Sequence, residues 1–178
     1  MLNYILIGMV LNHEQTGYDI KKSIELGIGN FYKISYGNLY PALKKLSEKG
    51  LLTMKEEPQG ERIKKYYKAT NQGKAEFIKW LSSPIDFKSD SDSLMVRIFF
   101  YDNLPEDVCK ERLTECELYA KQTLLALKEI EKTVDDEPGY YDKSTLYLGL
   151  QSTLNSIKWL NHILYKKPLK DFINHENT

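Results

Sequence analysis

The run Ser35–Leu52, S-Y-G-N-L-Y-P-A-L-K-K-L-S-E-K-G-L-L, constrains the fold more than any other stretch. It has the pattern of a helix that ends at a glycine and feeds directly into a strand. Gly50 stands just past the last periodic residue, where a left-handed residue without a Cβ closes a helix free of steric clash. Leu39, Leu43 and Leu46 recur at i, i+4 and i+7, one apolar stripe at helical spacing. The opposite face carries Gly37, Asn38, Pro41, Lys44, Lys45, Glu48 and Lys49, small and uncharged in front and mainly cationic behind. Such a helix can press its first turns against another polymer while the later lysines meet phosphates, although an ordinary solvated face has the same composition. Its start is either Ser35 or Asn38. Ser35 as the cap puts Pro41 in the second turn, where it removes a helix hydrogen bond. Asn38 as the cap puts Pro41 at the third helical position, where the missing N–H costs little.

The flanking segments supply the rest of a pattern. Residues 2–11 are mostly apolar and fit a helix or a strand. Thr16 is placed to cap a helix from Tyr18 to about Leu26, with Asp19 in its first turn and Gly27 and Gly29 ending it. Beyond Gly50, Leu51–Glu57 and Arg62–Ala69 are strand-like, separated by the turn sequence Pro58-Gln59-Gly60. Alternation sets Arg62, Lys64, Tyr66 and Lys68 on one face and Ile63, Tyr67 and Ala69 on the other, with Lys65 out of pattern. That cationic face can straddle a phosphate backbone, its charge moderated by Glu61. Thr70 then caps a helix running through Trp80 and Leu81. Helix, helix, helix, hairpin, helix is the order of a winged helix-turn-helix.

Charge agrees with that order once it is resolved along the chain. Lys+Arg and Asp+Glu balance at 25 each, but residues 1–83 hold 13 against 8 and residues 84–178 hold 12 against 17. A basic front joined to an acidic back suits a polyanion-binding module attached to something else. The apolar run Ile5–Leu11 is too short to span a bilayer, so no membrane partner and a cytoplasmic location are expected. No catalytic constellation emerges. His13, His162 and His175 are scattered, no phosphate-cradling loop or nucleophile elbow occurs, and Asp135-Asp136-Glu137 fits a solvated turn. The expectation is a binder rather than an enzyme, with no cofactor and no metal. Cys109 and Cys116 lie on one helix face, two turns apart, too far to bond each other, and fit buried thiols.

The runs T-G-Y-D-I (Thr16–Ile20), S-Y-G-N-L-Y-P-A-L-K-K-L-S-E-K-G-L-L and K-K-Y-Y-K-A-T-N-Q-G-K (Lys64–Lys74) together resemble the PadR family of transcriptional regulators. The motifs cover about residues 1–82; from there to about residue 172 the resemblance is one of architecture. It departs at Ala69, where the family often has leucine. The resemblance implies a DNA-binding regulator, with repression the expected direction. Some members of the family release DNA on binding phenolic or other small hydrophobic compounds. Carried onto this chain, Ser35, Tyr36, Asn38 and Tyr40 would reach bases or phosphates, and Lys44 and Lys45 would hold the backbone. Tyr18, Lys21 and Lys22 would contact phosphates across the groove, and Arg62 and Lys64 would do so from the wing.

The second half looks different. The polar segment Asp86–Ser93 suggests a boundary, giving a winged-helix DNA-binding domain over residues 1–84 and an α-helical dimerisation and effector domain over residues 85–178. A short apolar helix, Leu94–Tyr101, precedes a long one from about Pro105 that carries Cys109, Leu113, Cys116, Ala120, Leu124, Leu127 and Val134. Asp135–Tyr141 breaks it, and a last helix carries Leu146, Leu150, Leu154, Ile157, Leu160 and Leu164. Two such helices form an antiparallel hairpin that cannot cover its own apolar stripes, so burial against another copy or against the first domain is required. A homodimer is the economical answer, its two-fold axis mirrored by a palindromic operator in double-stranded DNA. Among thirteen tyrosines and two tryptophans, Tyr119, Tyr147 and Trp159 either line a pocket for a small aromatic effector or pack in the dimer core. The expected fold class is mainly α with a small β-hairpin. Two other functions fit the same pattern: a protein–protein adaptor that never meets DNA, and a dimer that sequesters aromatic compounds.

Overall fold

Packing settles the ambiguity at the N-terminus. In the computed structural model Leu2–Met9 is a helix, α1, and its consecutive residues Ile5, Leu6 and Ile7 are all buried. A helix apolar all round belongs at the centre of a core, and α1 contacts α2 (Gly17–Gly27), α3 (Tyr36–Glu48) and α4 (Asn71–Ser82). The structure describes residues 1–60, 62–87, 93–134 and 139–172. Glu61, most of the Asp86–Ser93 segment, the acidic triplet Asp135–Glu137 and His175 lie outside the described residues, as does the side chain of Arg62.

Three strands make one antiparallel sheet in the order β1–β3–β2, with β1 Gln15–Thr16, β2 Leu52–Gln59 and β3 Arg62–Ala69. Pairing of Gln59 with Arg62 leaves only Gly60 and residue 61 to connect the strands. Gly60 has φ +62°, which suits so tight a hairpin. The hairpin is therefore longer and its turn shorter than Pro58-Gln59-Gly60 suggested. Pro58 sits within β2, tolerated because β2 is an edge strand.

α3 begins at Ser35, whose carbonyl accepts from the N–H groups of Asn38 and Leu39 at 3.2 and 3.0 Å. The Ser35 hydroxyl makes no capping bond, contrary to the role expected of it. Pro41 thus lies inside the helix. The fully buried stripe of Leu39, Leu43 and Leu46 (exposures 0, 0 and 1%) holds the helix together across the missing bond. At its far end Gly50, φ +71°, donates to Ser47 O, and Leu51 donates to Leu46 O, the paired bonds of a left-handed helix stop. Thr70 closes the turn into α4. Its hydroxyl accepts from Gly73 N–H at 3.0 Å and donates to Gly50 O at 2.7 Å.

The compact units are Met1–Pro105 and Glu106–Thr178, a division later than the expected one after residue 84. The reason is α5 (Leu94–Phe99) and the 3-10 turn Tyr101–Asn103, which belong to the first unit. Phe100 meets Phe77 of α4 edge-on at 5.3 Å, and both rings close over Gly8 of α1. Arg97 is buried and donates to the carbonyls of Trp80 and Ser83 at 2.7 and 2.8 Å while lying 4.7 Å over the Trp80 ring. It closes the C-terminal end of α4, where orphaned carbonyls need donors.

The second unit is a helical hairpin of α6 (Glu106–Thr133) and α7 (Tyr140–Leu164). Tyr140 and Tyr141 open α7 rather than belonging to the break before it. The antiparallel register is marked by Lys166 with Glu106 at 3.4 Å and by Asn161 Nδ2 donating to Glu117 at 2.7 Å. Near the other end Gly149 faces Leu127. Leu113, Cys116 and Ala120 of α6 are buried, as are Leu150 and Leu160 of α7.

Candidate nucleic-acid interface

Because its leucines face inward, α3 must present Tyr36, Asn38 and Tyr40 to solvent at its front and Lys44 and Lys45 behind them. All five are exposed. Lys44 is held only loosely by Glu48, at 3.8 Å with 80% of its side chain accessible, a pairing that a phosphate can displace. The two tyrosine rings stack one turn apart, with centroids 6.1 Å apart and planes within 14°.

The first turn of α2 lies against that front. Thr16 caps it by accepting from Asp19 N–H at 3.2 Å and donating to the Asp19 carboxylate at 2.7 Å. A Cβ on Gly17 would come within 2.6 Å of the Tyr40 ring, so glycine is what lets α3 approach so closely. Tyr18 and Lys22 are exposed. Lys21 is not: only 17% of its side chain is accessible, and its ammonium pairs with Glu25 and sits 4.7 Å over the Tyr36 ring. The Glu25 carboxylate holds Lys21 above the ordinary lysine value, so it stays charged at any physiological pH.

The wing stands beside this face. A groove of about 470 Å³ runs between them, lined by Thr16, Tyr18, Asp19 and Tyr40 on one wall and Ile63, Lys64 and Lys65 on the other. Tyr67 and Ala69 anchor the base of β3 in the core, while Lys64 and Lys68 point outward as alternation requires. Lys65 pairs with Glu56 across the ladder at 3.2 Å. Lys55 draws Glu57 away at 2.6 Å, and that carboxylate raises the Lys55 ammonium above its usual range. Lys64, opposite Glu57 in register, is left without a carboxylate partner among the described residues. A cation of the wing at the groove, with exposed cations further along α3, suits contact with a polyanion.

The groove brings Tyr18, Tyr40 and Lys64 together; Ser35, Tyr36 and Asn38 are exposed at the start of α3, with Lys44 and Lys45 further along it. The structure engages Lys21 in an internal contact. Gly17 is not singled out by the sequence alone, whereas Lys68 is read there only as part of the cationic face of β3. The G-Y-D-I motif contained the first, and the strand alternation already pointed to the second. In the second unit, Tyr147 and Trp159 are twelve positions apart on α7, about 18 Å at helical rise, so Tyr119, Tyr147 and Trp159 do not line one small pocket within a single hairpin.

The chain is similar in sequence to known proteins over both units. Residues 6–79 match the transcriptional regulator PadR-like family, and residues 92–166 match the virulence activator alpha C-terminal family. The negative transcriptional regulator PadR of Bacillus subtilis (strain 168) is 28% identical over 177 residues, 92% of this chain and 96% of that protein. Solved structures similar to this chain include B. subtilis PadR in complex with operator DNA (28% identity, 93% and 98% of the two chains, TM-score 0.47). Another is B. subtilis PadR in complex with p-coumaric acid (27% identity, 93% and 97%, TM-score 0.43). Relatives of this kind are regulators and not enzymes, and no helix among the described residues is long and apolar enough to cross a membrane. Through residues 6–79, in its first unit, the chain carries a domain that matches the PadR-like family of transcriptional regulators.

Proposed function

We propose that this regulator is a homodimeric, cytoplasmic repressor that binds a palindromic site in double-stranded DNA through α3 and the wing. One observation carries the reading: the exposed front of α3, backed by three buried leucines, shares a groove with Lys64 of the wing. The front of α3 enters the major groove, where Asn38 and the tyrosines meet base edges; Lys44, Lys45, Lys22, Arg62 and Lys64 hold phosphates on either side. The sequence likeness to a negative regulator over nearly the whole chain supports repression as the direction of control.

Dimerisation follows from what α6 and α7 leave uncovered. Leu118 and Leu125 on α6 stay exposed at heptad spacing, as do Tyr140, Tyr147 and Leu154 on α7. Isolated hairpins do not leave such stripes in water, and a second copy covers both. The same aromatic-rich unit is where a small hydrophobic or phenolic compound would act to release DNA.

The test is a fluorescence-anisotropy titration of a duplex taken from upstream of the protein's own reading frame, repeated across salt concentrations. Preference over a scrambled duplex, with affinity falling steeply as salt rises, supports the reading. Indifference to both duplexes refutes it. Addition of p-coumaric acid, the compound crystallised with the B. subtilis protein, tests release in the same cuvette.

A further inference from the structure

We infer that Lys21 is a positioning residue for the tyrosine pair Tyr36–Tyr40, that this pair sets the sequence preference of α3, and that Lys21 carries no DNA phosphate. The inference rests on the DNA-binding reading above and gives Lys21 a different role within it. Lys21 and Lys22 are neighbours on α2, yet they have opposite surroundings. Lys22 is exposed and has no carboxylate partner among the described residues. Lys21 has 17% of its side chain accessible, is tied to Glu25 one turn on, and lies flat against the Tyr36 ring at 4.7 Å. To reach a phosphate it would have to abandon both partners.

What Lys21 holds is a short stack of rings. Tyr36 lies nearly parallel to Tyr40 at 6.1 Å, and Tyr40 in turn seats on the bare backbone of Gly17, where no larger residue leaves room. The order Glu25, Lys21, Tyr36, Tyr40, Gly17 begins and ends on α2, so that helix clamps two exposed α3 side chains from both sides. A tyrosine on a solvent-facing turn ordinarily samples several rotamers, and ordering it on binding weakens the complex. Clamped in advance, both rings present a fixed edge to the major groove, and a misaligned base pair is rejected rather than accommodated. Tyr36 and Tyr40 are then the residues that set specificity, and Lys21 acts through them.

Lys21→Met keeps the aliphatic stem and removes the charge. Titrated against the upstream duplex and a scrambled duplex of equal length, this variant should lose about fivefold of its preference for the former, with the salt slope unchanged. A slope smaller by about one unit with preference intact makes Lys21 a phosphate contact and overturns the inference. In a Tyr36→Leu background, Lys21→Met should cost no further preference; a loss as large as in the wild-type background overturns it as well. Ring-labelled tyrosine NMR of the free protein gives a readout without DNA. The signals of Tyr36 and Tyr40 should move in Lys21→Met, and unmoved signals remove the clamp. A wild-type protein that binds neither duplex brings down the DNA-binding reading itself, an outcome distinct from all of these.

Discussion

The two units solve the burial problem in opposite ways. The first closes its own core: Ile5, Leu6, Ile20, Ile24, Leu39, Leu43, Phe77 and Leu81 are all completely buried, drawn from four helices. The second has two long helices, and among its described residues only Cys116 and Leu160 come close to that state, while Leu118, Leu125, Tyr147 and Leu148 stay in water. Four helices and a sheet surround a volume; two helices share only a line. A module that closes its own core presents a finished surface, whereas the hairpin leaves apolar side chains uncovered.

Four changes test that contrast. The largest effect is expected from Leu43→Ala, which empties a fully buried site in the first unit and should lower stability by about 3–4 kcal/mol in urea unfolding. A loss below about 1 kcal/mol would mean that α3 is not seated on a closed core. Next, Leu118→Glu with Leu125→Glu should shift the protein from dimer to monomer in sedimentation equilibrium, weakening association by at least about a hundredfold while circular dichroism is kept. Persistence of the dimer would place the interface elsewhere. Arg97→Met removes the donors that close α4 and should cost about 2 kcal/mol in thermal unfolding, with a blue or red shift of Trp80 emission as its local signature.

The smallest effect concerns pH. Glu117 accepts from Lys121 and Asn161, both at 2.7 Å, and these donors hold its carboxyl below the ordinary 4.5. A lowered value in the folded state means that the contribution is complete above the unfolded value and disappears as pH falls through the folded one. The gap in melting temperature between wild type and Glu117→Gln should be full at neutral pH and close as pH falls below 4.5. A gap independent of pH would show that the charge of Glu117 contributes nothing to joining α6 and α7.

Local signals in the chain were dependable where the physics is local. Thr16 and Thr70 cap the helices they precede because an N-cap needs only its own hydroxyl and an N–H three residues on. Gly50 takes the left-handed stop for the same reason. Ser35 shows the boundary of that rule: it occupies the cap position, but its hydroxyl makes no capping bond. Alternation along β3 separated Tyr67 and Ala69 from Lys64 and Lys68, although the hairpin is long enough that Ile63, on the apolar side, projects past the core into the groove. Contacts place α5 with the first compact unit for reasons that lie far from it in sequence. α5 is short and apolar, and nothing near it in sequence says that its Arg97 will be drawn in by the end of α4.

By itself the sequence determined which faces are apolar, where helices stop, that a charged wing follows a leucine-backed helix, and which family the motifs resemble. Those features depend on neighbours within a turn or two of the chain. Tertiary structure alone decided that residues 2–9 are a central helix, that Pro41 is carried inside α3, that Arg97 is interior, and that Lys21 faces a tyrosine rather than solvent. Each depends on residues distant in sequence arriving at one place. A side chain's environment is set by what packs against it, and no periodicity encodes that.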